Sequence, residues 1–261
     1  LPSVRLTEIF RQAQESLIVT NAHEVNQGNL PVLNRTDKDF FFMRRREVKA
    51  LLDTITELCS TRLPKYQGIT PKDIQVIAPT RKGEAGTVNM NRVLQAALNA
   101  PDGQKKEIHS GERIFREGDR VMQIRNNYDI MWFADNGEAG SGVFNGDIGI
   151  LETIDNKNGL FYVRYDDKVA TYAKEQINEL ELSYAVTIHK SQGSEFDCVI
   201  IPVLDAPKKL LYRNLLYTAV TRAKKLLILV GSQEVVYTMI NNNKKTLRYT
   251  ALKEFLRRLY D

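Results

Sequence analysis

What most constrains this chain is a change of texture near Glu107 and a change back after Leu182. Before Glu107, apolar residues recur at helical spacing. Leu17, Ile18, Ala22 and Val25 mark a helix over 15–27 that Gly28 stops. Val48, Leu51, Leu52, Ile55 and Leu58 mark an amphipathic helix over 44–62, broken by Pro64 and Gly68. Compact strand-like runs lie at 39–43 and 73–78, and a third helical stretch runs from Thr87 to Asn99. Strands alternating with helices of this length predict a parallel sheet covered by helices. From Glu107 the texture is different. Turn signals (Gly118-Asp119, Asn126-Asn127, Asn136-Gly137, Asn145-Gly146, Asn158-Gly159) punctuate short runs at 120–124, 148–154, 160–165 and 169–172. Such punctuation predicts a small barrel or sandwich. The stretch 131–142, Gly-rich and polar apart from Trp132 and Phe133, reads as a long hairpin loop. After Leu182 strands at 184–188, 198–203 and 226–230 alternate with helices at 213–223, 233–240 and 251–260. The expected fold class is α/β, one domain over 1–106 and 183–261, interrupted by a β insertion over 107–182.

Charge follows the same boundary. The formal charge of +5 is too small by itself to name a polyanionic partner. It is a sum of unlike parts. Residues 1–106 carry 16 basic and 11 acidic residues, 183–261 carry 13 and 6, and 107–182 carry 8 and 15. The α/β part is therefore basic enough to hold a phosphate backbone, while the insertion is acidic. No apolar run approaches the ~18 residues that span a bilayer, so no membrane partner is expected. The two cysteines, Cys59 and Cys198, sit in apolar stretches, which argues against a disulfide scaffold and fits a reducing, cytoplasmic setting. His23, His109 and His189 have no partner at ligand spacing, so no metal site is expected. The chain starts at Leu1 without an initiator Met and reads as a piece of a longer protein.

Two segments concentrate chemistry. In Ala185-Val186-Thr187-Ile188-His189-Lys190-Ser191-Gln192-Gly193-Ser194-Glu195-Phe196 a strand ends in a run of polar donors, at the carboxyl end where open α/β sheets bind ligands, with Gly193 permitting close backbone approach. In Leu216-Tyr217-Thr218-Ala219-Val220-Thr221-Arg222-Ala223-Lys224 an arginine ends a helix that leads into a buried strand. It is either an exposed cation or a planar fork for phosphate oxygens. No Gly-Lys-Ser/Thr triplet occurs, so the chain has no P-loop of its own. Phe40, Phe41 and Phe42 read as core strand, and Arg44-Arg45-Arg46 as the exposed start of a helix.

Together the two segments resemble motifs V and VI of superfamily-one helicases, most closely the RecD-like branch, the alpha-subunit type of ATP-dependent exonuclease V. Three other stretches agree. Leu6 to Ala13, continuing to Asn21-Ala22-His23, resembles the motif IV region. Ile77-Ala78-Pro79-Thr80-Arg81-Lys82-Gly83, with Gly86-Thr87 and Asn91, resembles the next block. Gly118 to Gln123, with Asn126 to Asp129 and Phe144 to Gly149, resembles the SH3-like insertion. The resemblance spans nearly the whole chain. It implies a RecA-like parallel sheet flanked by helices, the second of two such domains, with Walker motifs on a first domain upstream. ATP with Mg2+ would then bind between the two domains, the Mg2+ ligands lying outside this chain. The resemblance places Arg11 and Arg222 at the γ-phosphate, and Gly193 and Glu195 at the nucleotide. Gln12 reads equally as a nucleotide contact or a helix-cap amide. Single-stranded DNA would meet Thr80, Arg81, Lys82, Thr87, Thr187, His189, Lys190, Ser191 and Gln192. Thr87 would stand at a helix N-terminus whose N–H groups suit a phosphate. Movement would be 5′→3′ in DNA repair or recombination, with the first RecA-like domain and other repair-complex subunits as partners. Two alternatives stay open: a nucleic-acid-binding module without activity of its own, and the helicase portion of a conjugative relaxase.

Overall fold

A computed structural model of the chain describes residues 15–35, 37–65, 69–204, 206–243 and 251–260. In chain order these are helix α1 (Leu17–Gln27), strand β1 (Phe40–Arg44), helix α2 (Val48–Glu57), strand β2 (Ile74–Ala78) and helix α3 (Thr87–Leu98). Then come β3 (Glu107–Ser110), β4 (Arg113–Arg116), β5 (Arg120–Gln123), β6 (Asn127–Ala134), β7 (Ala139–Val143), β8 (Ile148–Asp155), β9 (Leu160–Tyr165), β10 (Lys168–Ala173) and β11 (Leu180–Leu182). The chain continues through β12 (Ala185–Thr187), β13 (Phe196–Val203), α4 (Arg213–Val220), β14 (Ala223–Gly231), α5 (Gln233–Asn241) and α6 (Leu252–Tyr260).

The apolar runs assemble into one parallel sheet of order β1-β14-β13-β2-β12. Its central strands are buried on both sides because helices cover both faces. Ile77, Val199, Ile201, Leu227 and Leu229 pack against α1, α4 and α5 through Ile18, Leu216 and Val236. Their sequence neighbours Val76, Cys198, Ile200 and Ile228 pack on the other face against Leu51 and Ile55 of α2 and Met90 and Leu94 of α3. Burial pushes the thiols of Cys59 and Cys198 up to about 12, so both behave as apolar filler. Gly231 ends β14 at φ +147°, where a Cβ would stand 2.1 Å from the Val203 carbonyl oxygen; only glycine lets these strand ends meet. The α1 start is fixed by its Ser16 cap and by Asp39, whose carboxylate accepts from the Leu17 N–H at 2.8 Å.

The residues between α3 and β12 form an antiparallel sheet of order β11-β5-β8-β9-β10-β6-β7 and a separate β3–β4 hairpin. Phe115, Val121, Leu151, Phe161, Val163, Tyr172 and Leu180 make its own core, with Phe161 and Tyr172 stacked at 4.9 Å. The turn signals fall where expected: Gly137, Gly146 and Gly159 take positive φ, and Asp166 turns β9 into β10 at φ 50°.

Four local expectations are corrected. The second helix starts at Val48, because Arg44 stays in register with Gly231 and the Arg45 N–H donates to the Gly231 carbonyl at 2.7 Å. The fourth helix ends at Val220, because β14 already begins at Ala223. The predicted strand 184–188 shortens to the three residues of β12. The stretch 131–142 is not a loop: β6 and β7 pair directly, Met131 opposite Ser141 and Phe133 opposite Ala139. Gly140 misleads because it serves packing. A Cβ on Gly140 would stand 2.3 Å from the Trp132 indole. Phe40 is buried, as a core strand requires.

The two sheets are joined at Asp119, read from the sequence only as half of a turn signal. Its fully buried carboxylate accepts from the Gln95 amide at 2.6 Å, the Asn99 amide at 2.7 Å, the Arg116 N–H at 2.6 Å and the Tyr184 hydroxyl at 2.9 Å. Donors therefore reach it from α3, from the insertion and from the strand that re-enters the parallel sheet. Burial outweighs these donors and pushes the carboxyl above the usual range. Among the described residues, no helix is long and apolar enough to cross a membrane.

Candidate functional site

Strand register brings two distant segments together. β12 pairs with β2 so that Thr187 faces Ala78. Arg81 and Lys190 each follow three residues beyond that pair, and so both emerge at the carboxyl edge of the sheet. The loop after β2 is closed by its own backbone: the N–H groups of Thr87 and Val88 donate to the carbonyls of Thr80 and Arg81 at 3.1 and 3.2 Å. These two amides at the start of α3 are thereby taken up inside the loop. Thr87 is buried in the groove wall, Thr80 is half-buried, and Arg81 and Lys82 are exposed.

The turn after β12 is built similarly. The N–H groups of Lys190 and Ser191 donate to the Thr187 carbonyl at 2.9 and 3.1 Å. Ser191 is fully buried and donates its hydroxyl to the Ile188 carbonyl at 2.9 Å, so it shapes the turn and is not a surface contact. His189 and Gln192 are exposed. Gly193 takes φ +90° with open space around it, so the backbone conformation itself requires glycine there.

A third piece comes from the antiparallel sheet. Glu181 of β11 accepts from the Arg81 guanidinium at 2.9 Å through Oε1 and from Lys190 Nζ at 2.7 Å through Oε2. The groove around this trio is lined by Thr87, Asn91, Arg113, Leu182 and Thr187. It opens into a wider depression of about 660 Å³ along α3 that adds Lys82 and Arg92. Arg113 donates to the Leu180 carbonyl at 2.9 Å and stacks its guanidinium 5.5 Å from the Phe115 ring centre. Sequence reading misses Glu181 and Arg92, whereas Arg113 opens the one basic stretch of the acidic insertion, 113–125. No spacing rule links Glu181 to a residue a hundred positions earlier.

The nucleotide candidates lie at the other edge, where β13 and β14 begin. Arg222 precedes β14. It donates from Nε to the Thr218 carbonyl at 3.1 Å, from Nη1 to the Ser194 carbonyl at 3.0 Å and from Nη2 to the Thr221 hydroxyl at 3.2 Å. Its acceptors are all neutral, and among the described residues no carboxylate pairs with it. A half-buried guanidinium held by carbonyls with its charge unspent fits an anionic phosphate group. Glu195 is exposed and stands 3.7 Å from Lys224 Nζ. Beside Arg222, α1 and α4 frame a hollow lined by Val19, Ala22, His23, Tyr217 and Thr221. Arg11 and Gln12 lie outside the described residues. The eight residues 188–195 thus run from the edge carrying Lys190 to the edge carrying Arg222.

Comparison with known proteins places both segments. Residues 90–165 match the SH3 domain of ATP-dependent RecD-like DNA helicases, and residues 182–230 match the C-terminal domain of UvrD-like helicases. The second match contains Thr187 to Glu195 and Arg222. Over 261 residues the chain is 32 % identical to the ATP-dependent RecD2 DNA helicase of Deinococcus radiodurans, covering 98 % of this chain and 32 % of that protein. It is 30 % identical over 186 residues to the RecBCD enzyme subunit RecD of Mycolicibacterium smegmatis, covering 70 % and 29 %. The chain therefore spans about a third of the length of these relatives. Among solved structures, the Pif1 helicase from Bacteroides in complex with ADP-AlF3 and ssDNA aligns over 98 % of this chain and 56 % of its own, with 20 % identity and a TM-score of 0.49.

Proposed function

Since this chain belongs to the RecD-like DNA helicases and corresponds to the C-terminal part of one, we propose that it supplies half of an ATP-driven motor acting on single-stranded DNA. The observation that carries the reading is the convergence of Arg81 and Lys190 at one edge of the parallel sheet, with Arg222, which no described carboxylate pairs, at the other. Residues 1–106 and 183–261 form the second RecA-like domain, and 107–182 its SH3-like insertion. Thr80, Arg81, Lys82, Thr187, His189, Lys190 and Gln192 contact the DNA strand; Thr87 and Ser191 hold the loops that present them. Arg222, with Arg11, stabilises charge on the γ-phosphate, and Gly193, Glu195 and Gln12 face the nucleotide. ATP is the substrate whose hydrolysis drives the cycle, and the Mg2+ ligands and P-loop belong to the first RecA-like domain. Closure and reopening of the cleft between the two domains alternately tighten and release DNA, moving the protein 5′→3′. Repair-complex subunits are the further partners.

Arg81→Ala and Lys190→Ala in the full-length protein test the DNA edge. Each should weaken binding of a labelled oligothymidine by about tenfold at low salt, and each should reduce the slope of log affinity against log salt by about 0.7. Unchanged affinity and slope would remove the residue from the strand's path. The chain alone should show no DNA-stimulated ATP hydrolysis in a phosphate-release assay, because it holds only one side of the nucleotide. Robust turnover would overturn the shared site.

A further inference from the structure

We propose that the Glu181 carboxylate stands in the place of a DNA phosphate between Arg81 and Lys190, so that the strand enters this groove by displacing it. The inference rests on the DNA edge proposed above and adds how that edge is kept closed. A carboxylate offers two oxygens to two cations, as the two non-bridging oxygens of a phosphodiester do. Here each oxygen takes one cation: Oε1 accepts from Arg81 at 2.9 Å and Oε2 from Lys190 at 2.7 Å. The two cations arrive from neighbouring strands at the same level, so a single anion bridges them.

Displacement is eased because the contact is open to solvent on its Arg81 side. The side chains of Arg81, Lys190 and Glu181 are 60 %, 33 % and 23 % exposed, and ion pairs in such surroundings are weak and screened by salt. The competing anion is also carried by a separate unit. Glu181 lies on β11, the edge strand of the antiparallel sheet, which pairs there only with β5. Through this residue the acidic insertion touches the basic core at the point where a phosphate is expected. Next to it, among the described residues no carboxylate pairs with Arg113: its guanidinium donates to the Leu180 carbonyl and the Ser110 hydroxyl and lies over the Phe115 ring. A strand that has displaced Glu181 therefore meets a further unneutralised cation.

Binding of labelled oligothymidine to the full-length protein, titrated across salt concentrations, tests this. Glu181→Gln and Glu181→Ala should both tighten binding by about five- to tenfold at low salt, since the two cations no longer have a competitor. The salt slope should also steepen, by up to about 0.7, because binding no longer frees a carboxylate that takes up cations. A purely structural contact would not change that slope. If Arg81→Ala and Lys190→Ala weaken binding but both Glu181 variants leave it unchanged or weaker, displacement is wrong and the DNA edge stands. If Arg81→Ala and Lys190→Ala have no effect, the DNA edge itself is wrong, and the role of Glu181 with it.

Discussion

Arg222→Ala in the full-length protein should lower ATP turnover about a thousandfold or more while single-stranded DNA affinity changes by less than about twofold. An arginine that neutralises charge on a transferring phosphoryl group typically supplies that much rate, because its planar fork acts where charge develops. Arg222 is prepared for it. Three neutral acceptors hold the guanidinium in place, and none cancels its charge. DNA binding survives because Arg81 and Lys190 stand at the opposite edge of the sheet. Arg222→Lys separates charge from geometry. A lysine keeps the cation but cannot serve the Ser194 and Thr218 carbonyls and a phosphate together, so turnover should recover only slightly. Steady-state hydrolysis with saturating DNA and anisotropy binding measure the two quantities. Normal turnover in Arg222→Ala would take this residue out of the nucleotide site; a parallel loss of DNA binding would show that it holds the fold instead.

The other large effect belongs to a residue with no proposed contact to either ligand. Asp119→Ala should cost about 3–5 kcal/mol of stability, read as a lower urea midpoint. Removing a buried acceptor strands the donors it served, each at about 1–3 kcal/mol, partly recovered by relaxation. Four donors converge here, from Gln95, Asn99, Arg116 and Tyr184. A loss under about 1 kcal/mol would mean that the donors find other partners and that Asp119 is not the joint. The pH dependence has a definite sign. Burial raises the folded-state pKa of Asp119 above its unfolded value. The proton-linked part of its contribution is therefore fully present below the unfolded pKa and is lost as pH rises through the folded pKa. The urea midpoint of the wild type minus that of Asp119→Ala should fall across that window.

The parallel sheet is legible because its strands are unbroken apolar runs and its helices keep a strict period; both are local patterns. The motif strings are legible for the same reason: Ile188 to Gln192 is one continuous turn straight after β12, and Arg81 and Lys82 stand in the loop straight after β2. Errors arise where a residue answers to something distant. Arg44 is strand because Gly231 lies beside it, and Gly140 is strand because Trp132 needs the room. Ser191 is the local exception: it reads as a surface donor until its own turn folds it inward onto Ile188. Glu181 and Asp119 look like ordinary charges of an acidic segment, and only the docking of one sheet on the other shows what each carboxylate holds. Arg11 and Gln12 fall outside the described residues, so that corner of the site rests on sequence.

The passage of residues 188–195 from one edge of the sheet to the other has a thermodynamic consequence. One end is fastened by the Thr187 and Ile188 carbonyls, the other by Arg222 on the Ser194 carbonyl. A segment tied at both ends works as a short strut, with little slack to absorb a movement at either end. If nucleotide and DNA bind at its two ends as proposed, they share one conformational equilibrium, and their coupling is reciprocal. Whatever factor the DNA strand adds to nucleotide affinity, nucleotide must add to the affinity for the strand.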